Sequence, residues 1–491
     1  MSGLRVDLLV VGGGINGAGI ARDAAGRGVS VLLVEKDDLA RHTSSASTKL
    51  IHGGLRYLEQ LEFRLVRESL AERERLFLAA PHIVRPLRFV MPLPVAGRAA
   101  WTLRAGLFIY DHLARRTVLP PSRSVRIGAR SMRPGLERAL SYWDCRVQDS
   151  RLVVLNALDA RERGATVLTR TEMLGAHREH EEWVARLRGP EGERSIRARA
   201  LVNATGPWAG ELFGRIAGLK PRHTLRLVKG SHIVLPRLYS GDHAFVLQNP
   251  DGRIVFTIPF EERFTLVGTT DVEWTAPPGV PTVSDGEVGY LLDTLGRYFE
   301  TSVSAADIVW SYSGIRALCD DGASAPSKIT RDYALELDSS GAPLLSIFGG
   351  KITTYRRLSE LALNRLAPFF LEAGRAWTES AVLPGGDIPD LDLGRYAADL
   401  ERRYAALPPS LLQRLARTYG TRADRLLEGV WTSVDLGENF GGDLYSREVD
   451  YLVSKEWART AEDVLFRRTK LGLHLPQEAA DRLAQYMSGG S

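Results

Sequence analysis

The stretch VDLLVVGGGINGAGIARDAAGRGVSVLLVE, residues 6–35, restricts the fold more than any other part of the chain. Two short apolar runs of β-forming residues flank a glycine turn and a small-residue helical stretch. Residues 4–36 therefore read as a βαβ unit whose strands are buried on both faces. Gly12, Gly14 and Gly17 complete the pattern GxGxxG where the first strand meets the helix. Gly12 permits the tight turn, Gly14 lets a pyrophosphate approach the backbone, and Gly17 lets helix pack on strand. The helix start offers free N–H groups and a positive dipole end to phosphates. Glu35, closing the second strand, is placed to accept hydrogen bonds from a ribose. The N-terminal region predicts a dinucleotide site.

The chain has 491 residues, which at roughly 100–200 residues per domain makes two or three domains. A hydrophobic share of 44% with 25% charged residues excludes a disordered or fibrous chain. Cys145 and Cys319 are the two cysteines. They are too few for a disulfide framework, fit a reducing compartment and read as buried small residues. No CxxC or Cys/His spacing marks zinc, so no metal is expected. The net charge of +5 suits anionic partners such as a phosphorylated substrate, a nucleotide or acidic lipid headgroups. No block of like charge resembles a nucleic-acid arm. The first residues run straight into a strand without a signal-peptide pattern. No apolar run approaches the roughly 20 residues that span a bilayer. If the chain meets a membrane, it does so from one face.

Beyond the βαβ unit, residues 62–80 and 150–163 read as helices, and 165–170 and 200–205 as strands. Residues 83–125 read as irregular with one apolar helix, and 225–274 as a run of short strands. Residues 343–351 form a further strand, followed by the helix TTYRRLSELALNRLAPFF. A Pro/Gly/Asp-rich linker, LPGGDIPDLD, precedes a C-terminal part, 393–491, that reads as wholly helical. NAD and FAD share the glycine fingerprint. A nicotinamide enzyme continues into a regular second half of the sheet, whereas here the second strand runs into the hydroxyl-rich loop TSSASTKLIHGGLRYLE (43–59). Strand-to-glycine junctions recur at Ala204-Thr205-Gly206 and Gly349-Gly350-Lys351. A cofactor as long as FAD needs several such backbone approaches, so FAD is favoured.

These motifs, with GLFIYDHL, LVNATGPW, LVKGSHIVLP, IVFTIPF, GTTDVE, YSGIRALCDD, ITRDY, FGGKITTYR and the C-terminal TYG, DLGENFGG and RRTKLG, run in order along almost the whole chain. By them the chain resembles the bacterial aerobic FAD-dependent sn-glycerol-3-phosphate dehydrogenases of the amino-acid-oxidase-like flavoproteins. The resemblance implies oxidation of sn-glycerol 3-phosphate to dihydroxyacetone phosphate in glycerol and glycerophospholipid catabolism, with electrons passing through FAD to a respiratory membrane quinone. It implies a monotopic, usually dimeric protein on the cytoplasmic face of the inner membrane. The fold it implies is α/β (α+β overall). A discontinuous Rossmann-type FAD domain (1–80, 150–220, 330–382) is interleaved with a β-rich substrate domain (81–149, 221–329) and followed by an all-helical cap (383–491).

Site residues follow from the motifs. The expected FAD contacts begin with Gly12, Gly14, Ile15, Asn16 and Gly17, then Glu35 and Lys36. The hydroxyl-rich loop adds Thr43, Ser44, Ser45, Ser47, Thr48 and Lys49 as small or donor-bearing groups. Leu50 lies against the flavin, with His52, Gly53 and Gly54 beyond it. The downstream junctions supply Ala204, Thr205 and Gly206, and Gly350, Lys351, Ile352 and Thr353. For the substrate, a phosphate dianion is best held by Arg forks with a Lys. Arg316 and Arg331 are expected to clamp it, with Lys351 and Arg56 nearer the hydroxyl and flavin. Proton removal from the C2 hydroxyl needs a base or a cation in reach. His52 and His232 are the base candidates, with Arg316 and Lys351 as stabilising cations and Tyr57 and Thr270 (or Thr269) as hydrogen-bonding neighbours. Asp271 either orients a cation or caps a turn.

Two basic amphipathic segments, 97–116 and 353–370, are candidates for an anionic membrane surface. For the second, packing on the sheet is the competing reading. Two alternative functions remain at this stage. One is a glycerol-3-phosphate oxidase using O2, whose extra soluble-type insertion is not seen. The other is a flavoprotein that modifies or binds nucleic acid, disfavoured because the cationic residues form no stripe with stacking aromatics.

Overall fold

In the computed structural model, residues 4–93, 100–116, 118–128, 132–216, 218–320 and 332–489 are described. Strand β1 (Arg5–Val11), helix α1 (Ile15–Gly26) and strand β2 (Val31–Val34) form the expected βαβ unit. Leu8, Leu9 and Val10 are fully buried because helices and a second layer cover both sheet faces, which explains the unbroken apolar run. The parallel strands lie in the order Thr166–Leu168, β2, β1, Gly192–Asn203, Leu344–Gly349. Numbered along the chain this is 3-2-1-4-5, the dinucleotide-binding arrangement. Its direction reverses between β1 and Gly192–Asn203, and ligands bind in the crevice beyond the strand ends at such a point. Tyr333–Asp338 adds an antiparallel edge, and the hairpin Glu172–Glu179/Glu182–Gly189 pairs along Gly192–Asn203.

A second sheet of ten strands is built on the long strand Leu225–Pro236, which pairs with Phe264–Gly268, Val272–Glu273 and Trp310–Cys319. It extends through Ile254–Phe260 and Ala244–Gln248 to Val84–Pro92 and Arg138–Val147. Val84–Pro92 corrects the irregular reading of residues 83–125. Pro86 is tolerated because at that position the strand pairs only with Arg138–Val147; its other neighbour, Ala244–Gln248, meets it only at Phe89 and Val90. A proline without an N–H sits where no ladder bond is needed. The hydroxyl-rich stretch contributes the two-residue strand Leu50–Ile51, paired to Arg146 and Cys145. The loop that leaves the first sheet after β2 is thereby stitched to the second.

Helix Tyr355–Leu366 packs onto the first sheet, with Tyr355, Leu358, Ala362 and Leu366 buried in the main core. Its Arg356 is also buried, bonded through Nε and Nη2 to Glu72 of helix Phe63–Ala79, both at 2.7 Å. The apolar face of 353–370 is therefore core, not a membrane surface. By contrast, helix Ala100–His112 leaves Trp101, Phe108 and Ile109 exposed. The C-terminal part packs helices Leu393–Arg403, Pro409–Tyr419, Ser446–Glu456 and Gln477–Gly489 around a core of its own that includes Leu400, Leu412, Leu415 and Leu452. Among its described residues a short pairing of Asn439–Gly441 with Leu444–Tyr445 departs from the wholly helical expectation.

Candidate active site

The glycines act by what they leave out. A Cβ on Gly17 would lie 1.8 Å from the Gly12 carbonyl oxygen, and one on Gly12, at φ +111°, would lie 2.5 Å from that of Ala204. Helix α1 and the ends of the two central strands are thus in direct backbone contact. At Gly14 an added Cβ would meet only Ser44 Oγ, at 3.1 Å, so the approach to the helix start is open. Glu35 accepts from Gly13 N at 2.6 Å and from Asp37 N at 2.9 Å. Burial pushes its carboxyl up despite these two donors. Beside it, Lys36 Nζ lies 3.9 Å above the Trp208 ring and the His42 ring 4.6 Å from it. Trp208, Thr171 and His42 line this end of the cavity. They were not assigned from sequence; the aromatic following Gly206-Pro207 at a strand end was the available signal.

The loop beyond uses many of its polar groups on the protein. Thr43 Oγ1 donates to the Ile315 carbonyl at 2.7 Å, and Ser47 Oγ to Asp149 at 2.7 Å. Ser44 Oγ accepts from Ile15 N at 3.0 Å. Thr43, Ser44, Ser47, Thr48 and Leu50 line the cavity, but the Thr43 and Ser47 hydroxyls serve to hold the loop between the two sheets. Lys49 is turned away altogether. It is buried, with Nζ 2.9 Å from both Asp149 oxygens and 2.8 Å from the Ser45 carbonyl. Its expected FAD contact is replaced by an ion pair beneath the loop, and Ser45 also lies outside the cavity lining. Gly53 sits behind the wall, where a Cβ would strike Leu70 and Tyr110. Gly54, at φ +78°, lets the Tyr57 ring lie against its α-carbon.

At the far end of the same cavity are His52, Tyr57, Arg316, Gly350, Lys351, Ile352 and Thr353. Lys351 Nζ stands 3.9 Å over the Tyr57 ring. Arg316 is fixed by Thr269 Oγ1, at 2.8 Å from Nη2, and by the Thr270 carbonyl and Asp271 on Nη1. Gly230 lies beneath it, where a Cβ would be 2.3 Å from Nη2. His232 does not reach the cavity. It is buried and stacked on Tyr312, with Nε2 3.0 Å from Thr48 Oγ1. Burial, with Arg316 and Lys49 nearby, holds it far below the usual imidazole range and therefore neutral. Thr48 links it to the cavity wall. Thr270 is likewise buried, its hydroxyl donating to Glu287 at 2.7 Å, so it supports Arg316 rather than facing the cavity. Arg56 lies outside the lining, and Arg331 lies outside the described residues. Glu35, Asp37 and His42 offer ligand atoms within 4.8 Å of one another. Glu35 is already held by backbone donors, and Asp37 by His42 Nε2 at 2.8 Å, so the group reads as a loop lock.

The cavity runs without a break from Glu35 and Lys36 past the start of α1 to Lys351 and Tyr57. Asn16 Oδ1 is buried beside Gly350 without a hydrogen-bond partner, and Ala204, Thr205 and Gly206 line the cavity next to the glycine turn. These features fit FAD, whose phosphates the start of α1 would hold and whose ribose Glu35 would meet, and which would supply the redox chemistry. Fold and site together define a flavin-dependent oxidoreductase. Residues 7–356 match the family of FAD dependent oxidoreductases, and residues 376–489 match the C-terminal domain of alpha-glycerophosphate oxidase. The glycerol-3-phosphate dehydrogenase of Pseudomonas aeruginosa is 54% identical over 98% of this chain and 94% of its own length. The chain belongs to the FAD-dependent glycerol-3-phosphate dehydrogenase family. The D-erythritol 1-phosphate dehydrogenase of Brucella abortus is 47% identical over 97% of this chain and 96% of its own length. Among solved structures, glycerol-3-phosphate dehydrogenase from Bacillus halodurans complexed with FAD superposes with a TM-score of 0.78 at 26% identity. That superposition covers 99% of this chain and 91% of that one.

Proposed function

We propose that this chain oxidises sn-glycerol 3-phosphate to dihydroxyacetone phosphate and delivers the electrons to a quinone at a membrane surface. The observation that carries the reading is that Arg316, Lys351 and His52 line the same cavity as the nucleotide-binding glycine turn. When bound there, FAD supplies the two-electron acceptor for the C2 hydride. Arg316, already held in a fixed fork, and Arg331 are assigned to the phosphate; Lys351, which lines the cavity, favours the developing alkoxide. His52 takes the hydroxyl proton. His232 is assigned to position Thr48. The division into an FAD-binding part, a substrate-binding part and a C-terminal cap, with the boundaries given above, belongs to the same reading.

The exposed Trp101, Phe108 and Ile109, with the exposed Arg104 and Arg115 along the same segment, support attachment to an anionic membrane face through helix Ala100–His112. Among the described residues no helix is long and apolar enough to cross a membrane. A homodimer on the cytoplasmic face completes the proposal. The test is anaerobic bleaching of the yellow protein by sn-glycerol 3-phosphate and its recovery with a quinone analogue. Failure to bleach overturns the substrate assignment. The match of residues 376–489 to an oxidase domain favours one second reading, transfer to O2. Stoichiometric peroxide without a quinone analogue would establish it.

A further inference from the structure

Loop 35–42 follows β2 and carries Glu35, Lys36 and His42 into the cavity lining, where Glu35 is placed to read the adenosine ribose. Its anchor lies more than 400 residues away. Asp38 is buried, and its carboxylate accepts from Arg467 Nε at 2.6 Å and from Arg468 Nη1 and Nη2, both at 2.8 Å. Both arginines belong to the C-terminal motif RRTKLG and are themselves buried. Two further ties run beside this one. Asp463 pairs with Arg170, whose backbone N–H donates to Asp37 O at 2.9 Å and which precedes the cavity residue Thr171. Glu462 pairs with Arg41 at 3.2 Å. The same segment also reaches the second sheet, where Phe466 stacks on Trp310 of strand Trp310–Cys319 with ring centres 5.4 Å apart.

We propose that the helical C-terminal domain is part of the cofactor-retention machinery: Asp463, Arg467 and Arg468 hold the adenosine-reading loop in its binding conformation. Asp38 is a positioning residue, acting through the loop and not on the cofactor. Two sites coupled through one element affect each other equally. FAD binding therefore strengthens docking of the C-terminal domain by the same factor by which docking strengthens FAD binding. The proposal rests on FAD as occupant of the cavity, and its test reads FAD binding directly.

The experiment uses the full chain stripped of FAD and titrated with FAD, followed by quenching of flavin fluorescence. Arg468→Met is expected to raise the FAD Kd by about 10- to 100-fold, with KM for sn-glycerol 3-phosphate unchanged at saturating FAD. A merely structural pair would lower Tm equally with and without FAD; here the FAD-induced rise in Tm shrinks. Asp38→Asn serves as the milder variant where Arg468→Met fails to fold. In the unaltered protein, FAD is expected to slow cleavage by a protease within the linker 383–392. An unchanged Kd in the foldable variant, or linker cleavage indifferent to FAD, overturns the proposal. FAD that fails to bind the unaltered chain overturns the cofactor reading instead.

Discussion

Replacing Glu287 by Gln tests whether a carboxylate outside the cavity holds its cationic edge in place. Glu287 is buried and accepts from Lys229 Nζ, Ser231 Oγ and Thr270 Oγ1, each at 2.7 Å. It also caps its own helix, Asp285–Tyr298, through Ser284 N at 3.0 Å and Ser284 Oγ at 2.8 Å. Burial alone would push its carboxyl up, but Lys229 and the other donors pull it from 4.5 down to about 2. A carboxyl whose folded value is depressed stabilises the fold fully above its unfolded value. That contribution is lost as pH falls from about 4.5 toward 2. The difference corresponds to about 3 kcal/mol. In E287Q the buried Lys229 ammonium loses its counter-charge, and breaking a buried pair from one side costs about 3–5 kcal/mol. We expect urea unfolding of the FAD-saturated protein at pH 7 to show a loss of about 3 kcal/mol. The stability difference between pH 5 and pH 3 should shrink. Because Thr270 and Thr269 hold Arg316, kcat/KM should fall while FAD content stays the same. An E287Q protein within about 1 kcal/mol of the parent at pH 7, with the same acid dependence, would refute the reasoning.

Other consequences can be tested separately. G17A drives a Cβ into the Gly12 carbonyl, and overpacking against rigid backbone costs about 2–3 kcal/mol; the flavin-to-protein absorbance ratio should drop sharply. Arg316→Lys keeps the charge but loses the fork, and should lower kcat/KM by about 100-fold with little change in FAD content. Alanine at His52 should slow stopped-flow flavin reduction by about 100-fold or more, and a parental rate would remove it as the base. W101D combined with F108D should abolish co-sedimentation with anionic vesicles while leaving dye-linked turnover intact; retained binding would move the membrane contact elsewhere.

The dinucleotide cradle was legible in the sequence because its physics is local. A glycine that must turn at positive φ, or let a helix touch a strand, is specified by neighbours a few positions away, and the apolar runs around it announce buried parallel strands. The resemblance carried the family and FAD for the same reason: its motifs are contiguous. What sequence did not reveal are the environments of charged side chains whose partners are remote. Lys49 reads as a donor toward FAD but is paired with Asp149. Arg356 reads as the polar side of a surface helix but is sealed against Glu72. His232 reads as a base but is enclosed beneath Gly268 and against Tyr312. The C-terminal motif RRTKLG carries no legible task in sequence; its arginines hold Asp38. Local pattern determined which backbone can approach a nucleotide. Only the packing of two sheets and a distant helical domain decided which charges face the cavity and which are spent holding it together, since burial and pairing are properties of the assembled neighbourhood.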